Sequence, residues 1–222
     1  EIPLRLVGSE MCIRDSYISS WPKFVENFGG LLTDSDFPLL CQRALARGAC
    51  LWVGRVVHHS DITDPSSITA KYSEVKAGDV LFRAPSPGAW GDSMKVVVSV
   101  NDDNSDNFDI VVYEDDKSVT SFENYTKDQV LTIKSDYLTV EAIEAEEESI
   151  FSVGTYVLTG GSDGDALTDS DYIGDEAAGT GFHMFDEIDD ASLQVSAADT
   201  TSYAVAIAGH AYCENRKDLM YV

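Results

Sequence analysis

The sequence predicts an α/β core interrupted by an inserted small all-β domain, either a sandwich or a barrel. Three observations carry the prediction. Between residues 36 and 57 a helix pattern, a glycine and an apolar strand run follow one another. Short strand-like segments separated by turn residues then occupy 80–143. After them Thr155–Thr159 returns to a strand pattern like the first. The implied organisation is 17–57 as the first part of the core, 58–152 as the insertion and 153–222 as the second part of the core.

In chain order, residues 1–16 (EIPLRLVGSEMCIRDS) stand apart. Leu6–Asp15 resembles the translation of a sequencing-library adapter, so 1–16 is expected to be non-native. It is no signal peptide, because Arg5, Glu10, Arg14 and Asp15 leave no apolar stretch. A short helix follows. Ser20 stands at its cap, Pro22 suits its first turn, Trp21, Phe24, Val25 and Phe28 share a side, and Gly29-Gly30 ends it. Phe37, Leu40, Cys41, Ala44 and Leu45 form the apolar stripe of the next helix, with Asp36 as N-cap and Gly48 just past its end. The run Ala49–Val57 is apolar on both faces and predicts a strand covered on both sides, as in an α/β sheet.

From His58 the character changes. Asp61–Ser73 is polar and reads as a linker. Strand segments are predicted at Val80–Arg83, Met94–Val100, Phe108–Tyr113, Val119–Phe122, Val130–Ile133 and Tyr137–Ile143, and Tyr125–Val130 has room for one helical turn. Glu141, Glu144, Glu146, Glu147 and Glu148 close the insertion on a solvated face. Ala166–Ile173 and Met184–Leu193 read as broken helix or loop, and Tyr203–Ala208 as a buried strand or the start of a helix.

Composition narrows the function classes. The chain has 222 residues, is 44% hydrophobic and carries a formal charge of −24. That acidity disfavours nucleic acid and anionic membrane as partners, because binding phosphate needs clustered Lys and Arg. No apolar run approaches the ~20 residues that span a bilayer. Cys41 lies on the helix stripe, Cys50 in the strand run and Cys213 in a C-terminal segment, with no CxxC spacing, which predicts buried thiols instead of a disulfide framework.

Gly160-Gly161-Ser162-Asp163-Gly164 satisfies G-x-S-x-G, the nucleophile elbow of α/β-hydrolases, and His210 with Asp189 or Asp190 follows in the right chain order. An elbow needs a helix straight after the serine, whereas Asp163, Asp165, Asp169 and Asp171 describe a polar loop. A glycine-rich structural turn is the plainer reading. The same aspartates break EF-hand register at Asp163-Gly164-Asp165, which leaves only an irregular calcium site in 163–175 to weigh against a solvated loop. His58-His59 lacks ligand spacing, and His183 and His210 are isolated. Trp90 reads as a packing anchor, and no Walker-type loop occurs. No metal, cofactor or catalytic residue is predicted.

Four motifs in order resemble the tail sheath proteins of contractile-tailed bacteriophages. They are Ser20–Gly30, whose helix ends in Phe28-Gly29; Leu51–Val56, ending in Arg55-Val56; Pro87-Gly88-Ala89-Trp90-Gly91-Asp92 leading into Met94–Val98; and Leu158–Gly164, with Gly160, Gly161, Asp163 and Gly164. The resemblance spans Ser20 to about Asp186. It implies a subtilisin-like α/β core with a β domain inserted near its start; the label concerns fold, and no protease triad can be placed here. It also implies a structural virion protein that acts without nucleotide. Subunits stack as hexameric rings around a tail tube, between baseplate and tail terminator proteins, after assembly in the host cytoplasm. Contraction then drives the tube through the host envelope. The family's N-terminal arm and its further C-terminal domain have no counterpart in these residues, so the chain alone is expected to stay soluble without polymerising. The alternatives are a serine hydrolase built on Ser162 and a β-rich virion surface binding module.

Overall fold

The computed structural model describes residues 16–28, 30–31, 35–143, 151–196 and 203–222. Residues 1–15, Gly29 and the acidic positions Glu144, Glu146, Glu147 and Glu148 lie outside the described residues. In chain order the elements are β1 (Ser16–Ile18), α1 (Trp21–Phe28), α2 (Phe37–Ala46), β2 (Leu51–Val53), β3 (Glu74–Ala77), β4 (Val80–Arg83), β5 (Met94–Val100), β6 (Phe108–Glu114), β7 (Lys117–Tyr125), α3 (Lys127–Val130), β8 (Thr139–Ala142), β9 (Gly154–Val157), α4 (Asp169–Ile173), β10 (Leu193–Gln194), α5 (Ala204–Arg216) and β11 (Met220–Tyr221). They divide into two compact units. One is Ala70–Asp163; the other joins the described residues from Ser16 to Thr69 to those from Gly164 onward.

The unit 70–163 is two antiparallel sheets, one in the order β3-β4-β8 and the other β7-β6-β5-β9. Period-two patterning explains which faces close on each other. Met94, Val96 and Val98 are buried along β5, and Ile110 and Val112 along β6, where Val96 pairs with Val112 and Val98 with Ile110. With Phe82, Val80 and Val140 from the other sheet and with Trp90, Leu138, Phe151 and Leu158 they make one apolar core. The β6–β7 turn is two residues long, and Asp115 and Asp116 take φ of 47° and 63°, the left-handed pair that a type I′ hairpin demands.

Two expectations are corrected in this unit. Val130–Ile133 is no strand: Thr126 accepts from the Gln129 amide while Gln129 accepts from the Thr126 amide, a capping box that starts the helical turn α3. Val130 and Ile133 are both buried at i, i+3 spacing, which a short apolar run does not distinguish from a strand. The second correction concerns Thr155–Thr159, read as a return to the α/β core. Its strand β9 pairs antiparallel with β5, because Val97 and Lys95 offered an open sheet edge to Thr155 and Val157.

The other unit is built differently. α1 buries Phe24 and Phe28, and α2 buries Pro38, Cys41 and Leu45, with Gly48 following at φ +85°. Asp36 precedes α2 but makes no side-chain cap, and Leu40 of the expected stripe is exposed. The doubly covered strand 49–57 is also corrected. Only Leu51–Val53 is paired, with β1, because β1 offers a three-residue partner. Beyond it Val53, Arg55 and Val57 are buried while Gly54 and Val56 are half-buried, so period two persists without a ladder and one face is covered, not both. Cys50, expected inside, is exposed, whereas Cys41 and Cys213 are buried free thiols. Burial pushes the Cys41 thiol up to about 11.

Tyr203–Ala208 resolves as helix, the first turn of α5. β10 and β11 pair in parallel with α5 between them, a small βαβ unit. Under α5, Phe182, Val205, Tyr212 and Cys213 form a compact cluster. Arg216 ties it off by donating to the Phe185 and Ile188 carbonyls and to Asp218.

Candidate functional site

The motif residues of the β unit meet where the chain enters and leaves it. The entering and leaving strands run side by side. The Lys71 amide donates to the Ser162 carbonyl (2.9 Å), the Ser162 amide returns to Lys71 (3.1 Å), and Glu74 and Thr159 exchange a second such pair at 3.0 and 3.2 Å. Between them sits Ser73, fully buried, whose hydroxyl donates to Asp92 Oδ1 at 2.7 Å. The same carboxylate oxygen accepts the Gly161 amide at 2.9 Å. Asp163 Oδ1 accepts the Ala89 amide at 3.2 Å. The Gly88 amide reaches back to the Lys71 carbonyl at 2.9 Å. Asp92 and Asp163 thereby hold a 3-10 turn, Ala89–Ser93, against both crossing strands.

The glycines follow from this crowding. A Cβ on Gly161 would lie 2.1 Å from Ser73 Oγ and 2.3 Å from the Gly88 carbonyl oxygen. At Gly88 it would meet Trp90 Cδ1 at 2.7 Å and Asp163 Oδ1 at 3.0 Å, in a backbone of φ +142° that side chains rarely adopt. Trp90 is buried in the apolar core, which makes the turn an anchor as well as a brace. The carboxylates of this neck act as hydrogen-bond acceptors.

Residues 66–163 match the family model described as the phage tail sheath protein beta-sandwich domain. This β-sandwich belongs to the phage tail sheath family. The fold agrees with solved structures of sheath tail proteins. One, from Desulfitobacterium hafniense, shares 18% identity at a TM-score of 0.63, over 98% of this chain and 46% of that one. Another, from Listeria innocua, shares 17% at a TM-score of 0.67, over 97% and 44%. The chain thus spans about half the length of these relatives. No curated protein matches it.

Within the sheath domain, Pro87, Gly88, Trp90, Gly91, Gly161 and Asp163 are gathered at the neck, where a Cβ on Gly91 would press on Ser73. Gly160 (φ +88°) and Gly164 (φ +86°) flank it. Phe28 and Arg55 are buried in the other unit. Sequence reasoning missed Ser73. Its signal was register: Ser73, Val75 and Ala77 fall on alternate positions leading into β3, with Ser73 and Ala77 fully covered.

Ser162 lies in an extended bridge to Lys71, and the next helix begins at Asp169, so the strand–turn–helix of a nucleophile elbow is absent. Asp190 accepts the Trp52 indole N–H at 2.8 Å, and the His210 ring packs on Tyr221. His183 pairs with Asp186.

Among the described residues the buried carboxylate with a histidine partner is Asp171, 2% exposed. Its Oδ2 accepts from His58 Nδ1 (2.9 Å), from the Thr168 amide (2.7 Å) and from the Thr168 hydroxyl (2.8 Å), and its Oδ1 accepts the His59 amide (3.1 Å). Burial works to raise its pKa, but the His58 bond followed by the Thr168 and His59 bonds together hold it below the usual carboxylate value. It pins the His58-His59 segment to the first turn of α4. Among the described residues no group of three or more His, Cys, Asp or Glu is arranged to hold a metal ion. No described helix is long and apolar enough to cross a membrane.

Proposed function

We propose that this chain is part of a contractile tail sheath subunit, a structural virion protein that works by assembly. The observation that carries the reading is the sheath β-sandwich over 66–163, supported by the sheath-like fold of the whole chain. In this reading 17–69 and 164–222 belong to a subtilisin-like α/β core, the β domain is inserted into it, and residues 1–16 are foreign to it. Subunits polymerise as hexameric rings around a tail tube, bounded by baseplate and terminator proteins. They assemble in the host cytoplasm, and the sheath contracts to drive the tube through the host envelope. Energy is then stored in interfaces with two alternative packings, and no nucleotide, metal or cofactor is needed. The acidic surface fits a structural protein without nucleic acid or lipid contacts.

Antibodies raised against residues 66–163 test this on phage particles of the source. They should decorate the tail shaft along its length; decoration confined to capsid or tail tip overturns the reading. A fluorophosphonate probe addresses the hydrolase alternative, and labelling at Ser162 would count against a purely structural role.

A further inference from the structure

We propose that the neck is a latch: it closes residues 70–163 into a unit that opens and refolds as one, separately from the rest of the chain. The main chain supplies half of the latch. Lys71 and Glu74, just after the entry, are hydrogen-bonded to Ser162 and Thr159, just before the exit. Side chains supply the other half. Asp92, remote in sequence from both ends, accepts from Ser73 on the entering strand and from Gly161 on the leaving one.

The turn that carries Asp92 is itself fastened by Trp90, so the two ends are tied to the apolar core and not only to each other. That core draws its buried residues from Ala77 to Leu158 alone. The cluster around Phe182, Val205, Tyr212 and Cys213 shares none of them. Cooperative opening follows shared burial, so a core confined to 77–158 and closed by the neck defines an opening unit of its own.

Native-state amide hydrogen exchange on the full chain, at rising denaturant, reads this directly. The amides of Lys71, Glu74, Leu158 and Ser162 should converge on one opening isotherm, and those of Ile207 and Lys217 on another. Asp92→Ala strands the Gly161 amide, leaves the Ser73 hydroxyl only its 3.4 Å contact to the Gly88 carbonyl, and should speed the first set by about tenfold, leaving the second unmoved. Asp92→Asn keeps an acceptor oxygen and should restore near-original rates. Asp171→Asn should do the converse, accelerating the second set only. Convergence of all these amides on one isotherm overturns the latch, as does equal acceleration of both sets by Asp92→Ala. An Asp92→Ala chain that does not fold leaves the Asp92→Asn and Asp171→Asn comparison to decide between the same outcomes.

Discussion

The two units solve the same problem with different means. The sandwich 70–163 encloses one continuous apolar core that includes Phe82, Met94, Val96, Ile110, Val112 and Leu158, each fully covered. In the other unit the cluster at Phe182, Val205, Tyr212 and Cys213 is small, and buried polar groups stand beside such apolar patches: Asp171, Gln194, Thr180 and Arg55. Arg216 and Tyr212 illustrate the second style. Arg216 donates to the Tyr212 hydroxyl at 3.1 Å, and Tyr212 donates to Asp186 at 2.7 Å. Burial first, then the Asp186 bond, lifts the Tyr212 hydroxyl to about 12, against the lowering effect of Arg216. A sheet with an apolar face specifies its partner by area alone. A unit made of short elements and loops adds directional bonds to the apolar area it buries.

The largest effect should come from emptying the sandwich. Phe82→Ala should cost about 3–5 kcal/mol in denaturant unfolding, and Phe182→Ala distinctly less, since its cluster is smaller and relaxes more easily. Equal costs would break the comparison. Next is the directional contact. Asp171→Asn puts an N–H₂ or a weaker acceptor before the Thr168 and His59 donors and should cost about 1.5–3 kcal/mol.

The same group sets a pH dependence of known sign. Its folded pKa is depressed, so its stabilisation is fully present above the unfolded value of ~3.9 and is lost as pH falls through the folded one. The difference between the original and Asp171→Asn chains should therefore shrink below about pH 4. A constant difference from neutral pH down to pH 2 would remove Asp171 from the account.

Gly161→Ala tests steric closure of the neck and should cost about 1–3 kcal/mol, because Ser73 and the Gly88 carbonyl cannot both retreat. Ser73→Ala in the same background should recover only part of it, since the Gly88 carbonyl stays in place. The smallest effect is chemical and not energetic. Maleimide at neutral pH should modify Cys50 in the folded chain and spare Cys41 and Cys213. Peptide mass mapping reads the outcome, and labelling at Cys41 would show that α2 opens readily.

The sequence by itself determined the strands whose side chains alternate cleanly, among them β5 and β6, because period two survives in any context that covers one face. It also determined the stops, since Gly48 and the Asp115-Asp116 turn act within a few residues of themselves. The motifs Pro87–Asp92 and Leu158–Gly164 were legible as motifs, and so was their family likeness. What they do was not. Only the tertiary structure brought Ser73, Asp92 and Gly161 together, over separations of up to 88 residues. Only it assigned β9 to the sandwich and left Cys50 outside. Sheet partnership and burial depend on which edge is free when the chain returns, a long-range property that no local pattern encodes.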